Sequence, residues 1–251
     1  MRTYILPATG VLQNLFSAKI DPNGYAGSVR VRADSRFWGV DGNARTPWYT
    51  VFADRNDLLV GFRYLDLEEN LNIDDRAEFG GGGVNTVSDN FRTRNRIYVG
   101  QVGFQSHWAS SGRLNLGYFA KFGVGGASQR VDISGNNTLT GLPDERTGLY
   151  TQATNTGSFE RSKLVAVGEI GFKFGYSITE RISAQVGYNI LYVSSVVRPG
   201  LALDSAVNDA NIRFVADPTP DAINRRPTFD FGRASSDFYA QGLTVGLSIG
   251  Y

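Results

Sequence analysis

The stretch "AQGLTVGLSIGY" (residues 240–251) sets the terms for reading the whole chain. Counting back to its start, Tyr239, Gln241, Leu243, Val245, Leu247, Ile249 and Tyr251 occupy the odd positions. Phe238, Ala240, Gly242, Thr244, Gly246, Ser248 and Gly250 occupy the even ones. A period of two puts the two sets on opposite faces of a strand. One face is large and mostly apolar, and the other is small or weakly polar. A strand of a water-soluble sandwich carries charge on its second face; this one does not.

Six further segments alternate in the same way: "SVRVRADSRFW" (28–38), "LLVGFRYL" (58–65), "IYVGQVGFQSHW" (97–108), "RLNLGYFAKFGVG" (113–125), "KLVAVGEIGFKFGY" (163–176) and "RISAQVGYNILY" (181–192). Most reach the ~9–11 residues that a tilted strand needs to cross a bilayer, which is longer than the ~5–6 of an ordinary strand. No apolar run approaches the ~20 residues of a transmembrane helix. A hydrophobic content of 41% still suits a membrane barrel, because such strands are apolar only at every second position. A net charge of +1 argues against a nucleic-acid-binding protein, and the absence of cysteine excludes disulfides and thiolate metal sites. Thirty glycines and 12% aromatic residues lean towards β structure.

The connections point the same way. "ASSG" and "SITE" are short, whereas Glu69 to Phe91, Ser134 to Arg161 and Ser194 to Ser236 are long. Outer-membrane barrels alternate short inner turns with long outer loops. The expected fold is therefore an all-β, antiparallel transmembrane β-barrel, a single domain over 1–251. Residues 1–24 are expected to be an outer loop or an extra strand, and 194–236 a long outer loop. Seven strands are clear and an eighth is doubtful in "TYILPATGVLQNLFSA"; since single-chain barrels use even counts, the full barrel has this eighth or runs to ten or twelve.

Parity then assigns roles. Arg30, Arg32, Asp34, Arg36, Arg63, Gln101, Gln105, Lys121, Glu169, Lys173, Gln185 and Asn189 are expected to line the lumen. Their cationic excess would favour anions if water fills the interior; if the charges pair with one another, they plug it instead. Trp108, Tyr118, Tyr176, Tyr188, Tyr192 and Tyr251 fall on the apolar face at or near strand ends, as interfacial girdles do.

Nothing suggests an enzyme. His107 is the only histidine and sits at the inner end of its strand, away from the outer rim where barrel hydrolases work. A zinc site has no set of histidine or cysteine ligands. "DLEENLNIDD" (66–75) offers Asp66, Glu68, Glu69, Asp74 and Asp75 to a hard cation, but its spacing is no EF-hand and a solvated loop is the better reading. "GGGG" (80–83) precedes no lysine and helix, so it reads as a loop tip. No metal and no cofactor is expected. The segment from Val196 to Ser236, with Pro199, Pro218, Pro220 and Pro227, is long enough to fold inward or cover the barrel mouth.

"LLVGFRYLDLEENLNI" (58–73), "RNRIYVGQVGF" (94–104), "GEIGFKFGYSITERISAQVGYNILYVSSVVRPG" (168–200) and "SDFYAQGLTVGLSIGY" (236–251) resemble the putative β-barrel porin-7 family of bacterial outer-membrane proteins. The resemblance runs from about Ser28 to Tyr251 and is most specific between Arg181 and Gly200. It implies an outer-membrane location, a porin-like channel of unknown solute, and family members with a longer amino end. Two partners are expected: the lipid bilayer, and the barrel assembly machinery through a terminal strand ending at Tyr251.

Overall fold

The structure is a computed structural model that describes residues 26–48, 55–79, 81–109, 113–208 and 227–249. Seven strands form one sheet: β1 (Ala26–Pro47), β2 (Arg55–Glu78), β3 (Val84–Ala109), β4 (Leu114–Leu139), β5 (Gly157–Ser177), β6 (Ile182–Val197) and β7 (Ser235–Ile249). A single helical turn, α1 (Pro199–Ala202), follows β6. Strand order is β1-β2-β3-β4-β5-β6-β7, every neighbouring pair antiparallel. The sheet curls into a half-barrel until its two ends approach, with the Phe37 and Phe238 rings 5.2 Å apart. Among the described residues no ladder joins β1 to β7.

The strands are far longer than the alternating segments predicted, up to 26 residues in β3 and β4. The reason is a change of polarity within each strand. In the lower part of β2, Val60 and Phe62 are exposed on the outer face while Leu59 and Arg63 are buried on the inner one. Farther up the same strand, the inner residues Leu65, Leu67, Leu71 and Ile73 are buried and apolar, while Glu68, Asn70 and Asp74 share the outer face. β3 and β4 switch at the same level through their registers. On β5 the outer apolar belt runs from Leu164 to Tyr176, about 13 residues; at ~3.3 Å per residue and ~45° of tilt it stands ~30 Å high, the thickness of a hydrocarbon core.

Three expected loops are corrected by this. Glu69 to Phe91 is not a loop: β2 and β3 continue through it and turn at residues 79–83, where Phe79 N–H donates to the Gly83 carbonyl at 2.8 Å. Gly82 has φ +83° there, which a side chain would resist. "DLEENLNIDD" is therefore strand, and its carboxylates divide between the two faces. The later loops shorten to 140–156 and 198–234. Met1 to Gly24 and Tyr251 lie outside the described residues, as does much of the last loop.

Two apolar clusters fill the upper interior. Leu65, Leu67, Ile97, Val99, Val165, Val167 and Val193 form the lower one. Leu71, Ile73, Phe91, Val131, Ile133 and Val197 form the upper one, with Ala202, Leu203, Phe229 and Phe231 from the last loop packed against them. Of the two dispositions expected for that loop, inward or across the barrel mouth, its described parts pack inward. At burial worth ~25 cal/mol per Å², this packing fixes the described parts of the loop on the half-barrel, with α1 its one helical turn among the described residues.

The belt predicts its own test. Ile170→Arg places a charge on the outer face in mid-belt and should cost about 2–4 kcal/mol of folding stability in lipid vesicles. Ser134→Arg, on the same face of β4 well above the belt, should stay within about 0.5 kcal/mol. Urea titration of vesicle-folded protein measures both.

Candidate functional site

The inner face at belt height carries a compact network of charged and amide side chains drawn from six strands. Asp41 on β1 accepts hydrogen bonds from Arg63 on β2 (3.3 Å), Gln101 on β3 (3.1 Å) and Lys121 on β4 (2.7 Å). Arg63 reaches across the interior to pair with Glu169 on β5, and its side chain is only 5% exposed. Lys121 lies 3.8 Å from Glu169, which also accepts a bond from Asn189 on β6 at 3.2 Å. Gln101 further donates to Asn43 at 2.7 Å. Two carboxylates face two cations, so the network neutralises itself. Small residues permit the crowding: Gly103 lies beneath Lys121, and the Phe119 ring lies over Gly171, where a Cβ would collide.

Above this network several buried polar side chains bond to backbone groups. β6 bulges between Val193 and Val196, and Ser195 takes φ 56°. Asn95 brackets the bulge, donating to the Val197 carbonyl (2.9 Å) and accepting from its N–H (2.8 Å). Gln129 donates to the Ser195 carbonyl at 2.5 Å and accepts from Arg161 at 2.8 Å. These bonds satisfy groups that a bulge releases from the ladder. Arg198, at the start of the last loop, lies 2.5 Å from buried Glu69. Loop 140–156 is anchored by Asp89, whose carboxylate accepts from the backbone of Leu149, Tyr150 and Thr151 and from the Thr151 hydroxyl.

Below the network is a cavity of ≈350 Å³ lined by Gln105, Lys121, Lys173, Gln185, Asn189 and Thr244, among others. Lys173 sits in a row between Gly117 and Gly187, which leave its sides uncovered. His107, on the same face, contacts the Gln105 amide at 2.5 Å, and an amide does not orient an imidazole for proton transfer as a carboxylate does.

Of the residues expected to line the lumen, Arg63, Gln101, Gln105, Lys121, Glu169, Lys173, Gln185 and Asn189 lie on the inner face, and the network joins five of them. Arg30, Arg32, Asp34 and Arg36 do not, which corrects their assignment. Register puts them opposite Asp74, Asn72, Asn70 and Glu68 on the outer face, and Arg32 lies 3.9 Å from Asp74. They stand above the belt, where the outer face is the polar one. The same wall is laced by Arg94–Asp66 (2.7 Å), Arg130–Glu160 (2.9 Å) and the Arg92–Glu68 pair. Asp41 and Asn43 had no assigned face, because they lie past the alternating segment 28–38 in a stretch where the turn to the next strand could fall at "DGN" (41–43) or "DRND" (54–57); "DGN" is the middle of the interior network.

The aromatic residues divide likewise. Trp108 and Tyr176 are exposed at the lower ends of β3 and β5. Tyr118 and Tyr188 stand within the belt rather than at its rim, and Tyr192 lies at the upper rim with its ring 5.1 Å from Tyr239. That upper rim continues through Trp38, Tyr64 and Tyr98, with ring separations of 5.2 and 5.0 Å. They escaped notice because each lies in mid-strand; only the level at which polarity switches marks it as a boundary.

Three variants probe these arrangements. Arg63→Ala leaves Glu169 sharing Lys121 with Asp41 and should cost about 3–5 kcal/mol, while the double change Arg63→Met with Glu169→Leu should recover most of it. Urea titration in vesicles reads both. Asp89→Ala should release loop 140–156, seen as faster cleavage within it under limited proteolysis at unchanged belt stability.

No curated protein and no solved structure matches the chain. A family model described as putative beta barrel porin-7 (BBP7) matches residues 11–251, nearly the whole length. An antiparallel sheet that curls on itself, with an outer apolar belt of bilayer height and polar residues inside it, is what that description leads one to expect. The chain belongs to the putative β-barrel porin-7 family and is a membrane protein of β-barrel type.

Proposed function

We propose that this protein is an outer-membrane barrel closed to solutes, which anchors a rigid wall and its loops at the cell surface for a structural or recognition role. One observation carries the reading: the Arg63–Glu169 pair spans the interior at belt height, with Arg63 nearly without solvent contact. The apolar clusters above it and the inward-packed loop support the same conclusion. An ion moving along the interior would have to break a desolvated pair and then cross an apolar layer, each a barrier of several kcal/mol. The bilayer is the partner of the outer belt in this proposal, and the barrel assembly machinery recognises strand β7. No catalytic role is assigned to any residue.

A porin-like channel with a slightly cationic lumen is the second reading. It is favoured by the family's description and by the ≈350 Å³ cavity bearing Lys173 below the network. Planar-bilayer recording in molar KCl separates the two. Purified full-length protein should give a silent trace under the closed reading. Reproducible ohmic steps with anion preference would overturn it and establish the channel.

A further inference from the structure

The end of the half-barrel farthest from the belt holds a group of oxygen acceptors that nothing described there satisfies. Val87 on β3 pairs with Asp75 on β2 at one side and with Asn137 on β4 at the other; Asn85 lies two residues before Val87 on the same face. All three polar residues are therefore on the inner, concave side of the sheet, and they are 6%, 2% and 6% exposed for Asp75, Asn85 and Asn137. The Oδ1 atoms of Asn85 and Asn137 accept no hydrogen bond. Among the described residues no donor meets the Asp75 carboxylate.

Diagonal neighbours on a sheet place their Cβ atoms about 7 Å apart, and concave curvature draws the side-chain ends closer. Asp75 and Asn85 are one such pair, and Asn85 and Asn137 another. Asp89, the nearest other acid, cannot share a donor, because its carboxylate is already taken up by Leu149, Tyr150 and Thr151. It adds only a further negative charge beside Asp75. Two buried amide oxygens and a carboxylate without a described donor, beside a further acid, suit an electropositive occupant. Oxygen-only donors of mixed carboxylate and amide type suit a hard cation, with water completing its 6–8 ligands.

We propose that Asp75, Asn85 and Asn137 bind a divalent cation of the calcium type, which fastens β2, β3 and β4 together beneath loop 140–156. Among the described residues no three carboxylate or imidazole groups cluster for a metal, so two of the three protein ligands are amide oxygens. With a single carboxylate, affinity belongs in the weak class of extracellular sites, Kd of ~0.1–1 mM. This inference concerns the rim and does not rest on the interior being closed.

Calcium titration calorimetry of the folded full-length protein in detergent tests it. One site in that range is expected, with affinity reduced at least ~10-fold in Asp75→Asn and raised in Asn137→Asp, which adds a second carboxylate. Calcium should also slow proteolysis within loop 140–156 in the wild type and not in Asp75→Asn. Absence of calcium heat in both the wild type and Asn137→Asp overturns the proposal and leaves a proton on Asp75 as the occupant. Calcium binding that neither substitution alters overturns it as well, since the metal would then lie elsewhere.

Discussion

A peptide group in hydrocarbon finds no water to bond, so a chain that crosses a bilayer on strands must satisfy every amide through its neighbours. The continuous ladder from β1 to β7 meets that demand over six antiparallel pairings, and everything else in the structure is arranged around it. Once the ladder is set, side chains have only two directions to point, and polarity decides what each direction meets. Along the belt the outer face is apolar and the inner face holds amides and paired charges. Above it the two faces exchange roles, and the inner one becomes an ordinary apolar core.

That exchange explains why the same strands serve two purposes. Below the switch, inner-face glycines give room for Arg63, Lys121, Asp41 and Glu169 to meet across a narrow interior. Above it, β2 to β4 continue as a water-exposed wall whose outer charges pair between strands, while Phe91, Val131 and Ile133 pack against the last loop. The exposed pairs contribute little individually; what keeps the wall upright is its buried side. The loops are held by a few buried polar anchors, notably Asp89 for residues 140–156 and Asn95 with Gln129 for the β6 bulge.

An interior this full is typical of small barrels, in which about eight strands leave just enough space for side chains. The seven described strands run with β1 and β7 parallel to one another, so an antiparallel closure takes an odd number of further strands between them. The Phe37 and Phe238 rings, 5.2 Å apart, meet where the inner faces of β1 and β7 approach.

By itself, the sequence determined that the chain is β, that its strands are long, and that one face of each meets an apolar surroundings. Alternation of the kind seen from Tyr239 to Ile249 has no other economical reading, because period two is a property of the extended backbone. It also placed Arg63, Lys121 and Glu169 on a common face. Only the tertiary structure decided what each face touches. Periodicity reports which residues share a side and is silent on whether that side meets lipid, water or core. Arg30 to Arg36 therefore looked like a lumen wall on a strand whose apolar side faces inward at that height. Likewise "DLEENLNIDD" looked like a loop, since a strand with Asp66, Glu68 and Asp74 on one face and Leu67, Leu71 and Ile73 beside two acids on the other makes sense only once the β3 arginines and the upper core are known to flank it.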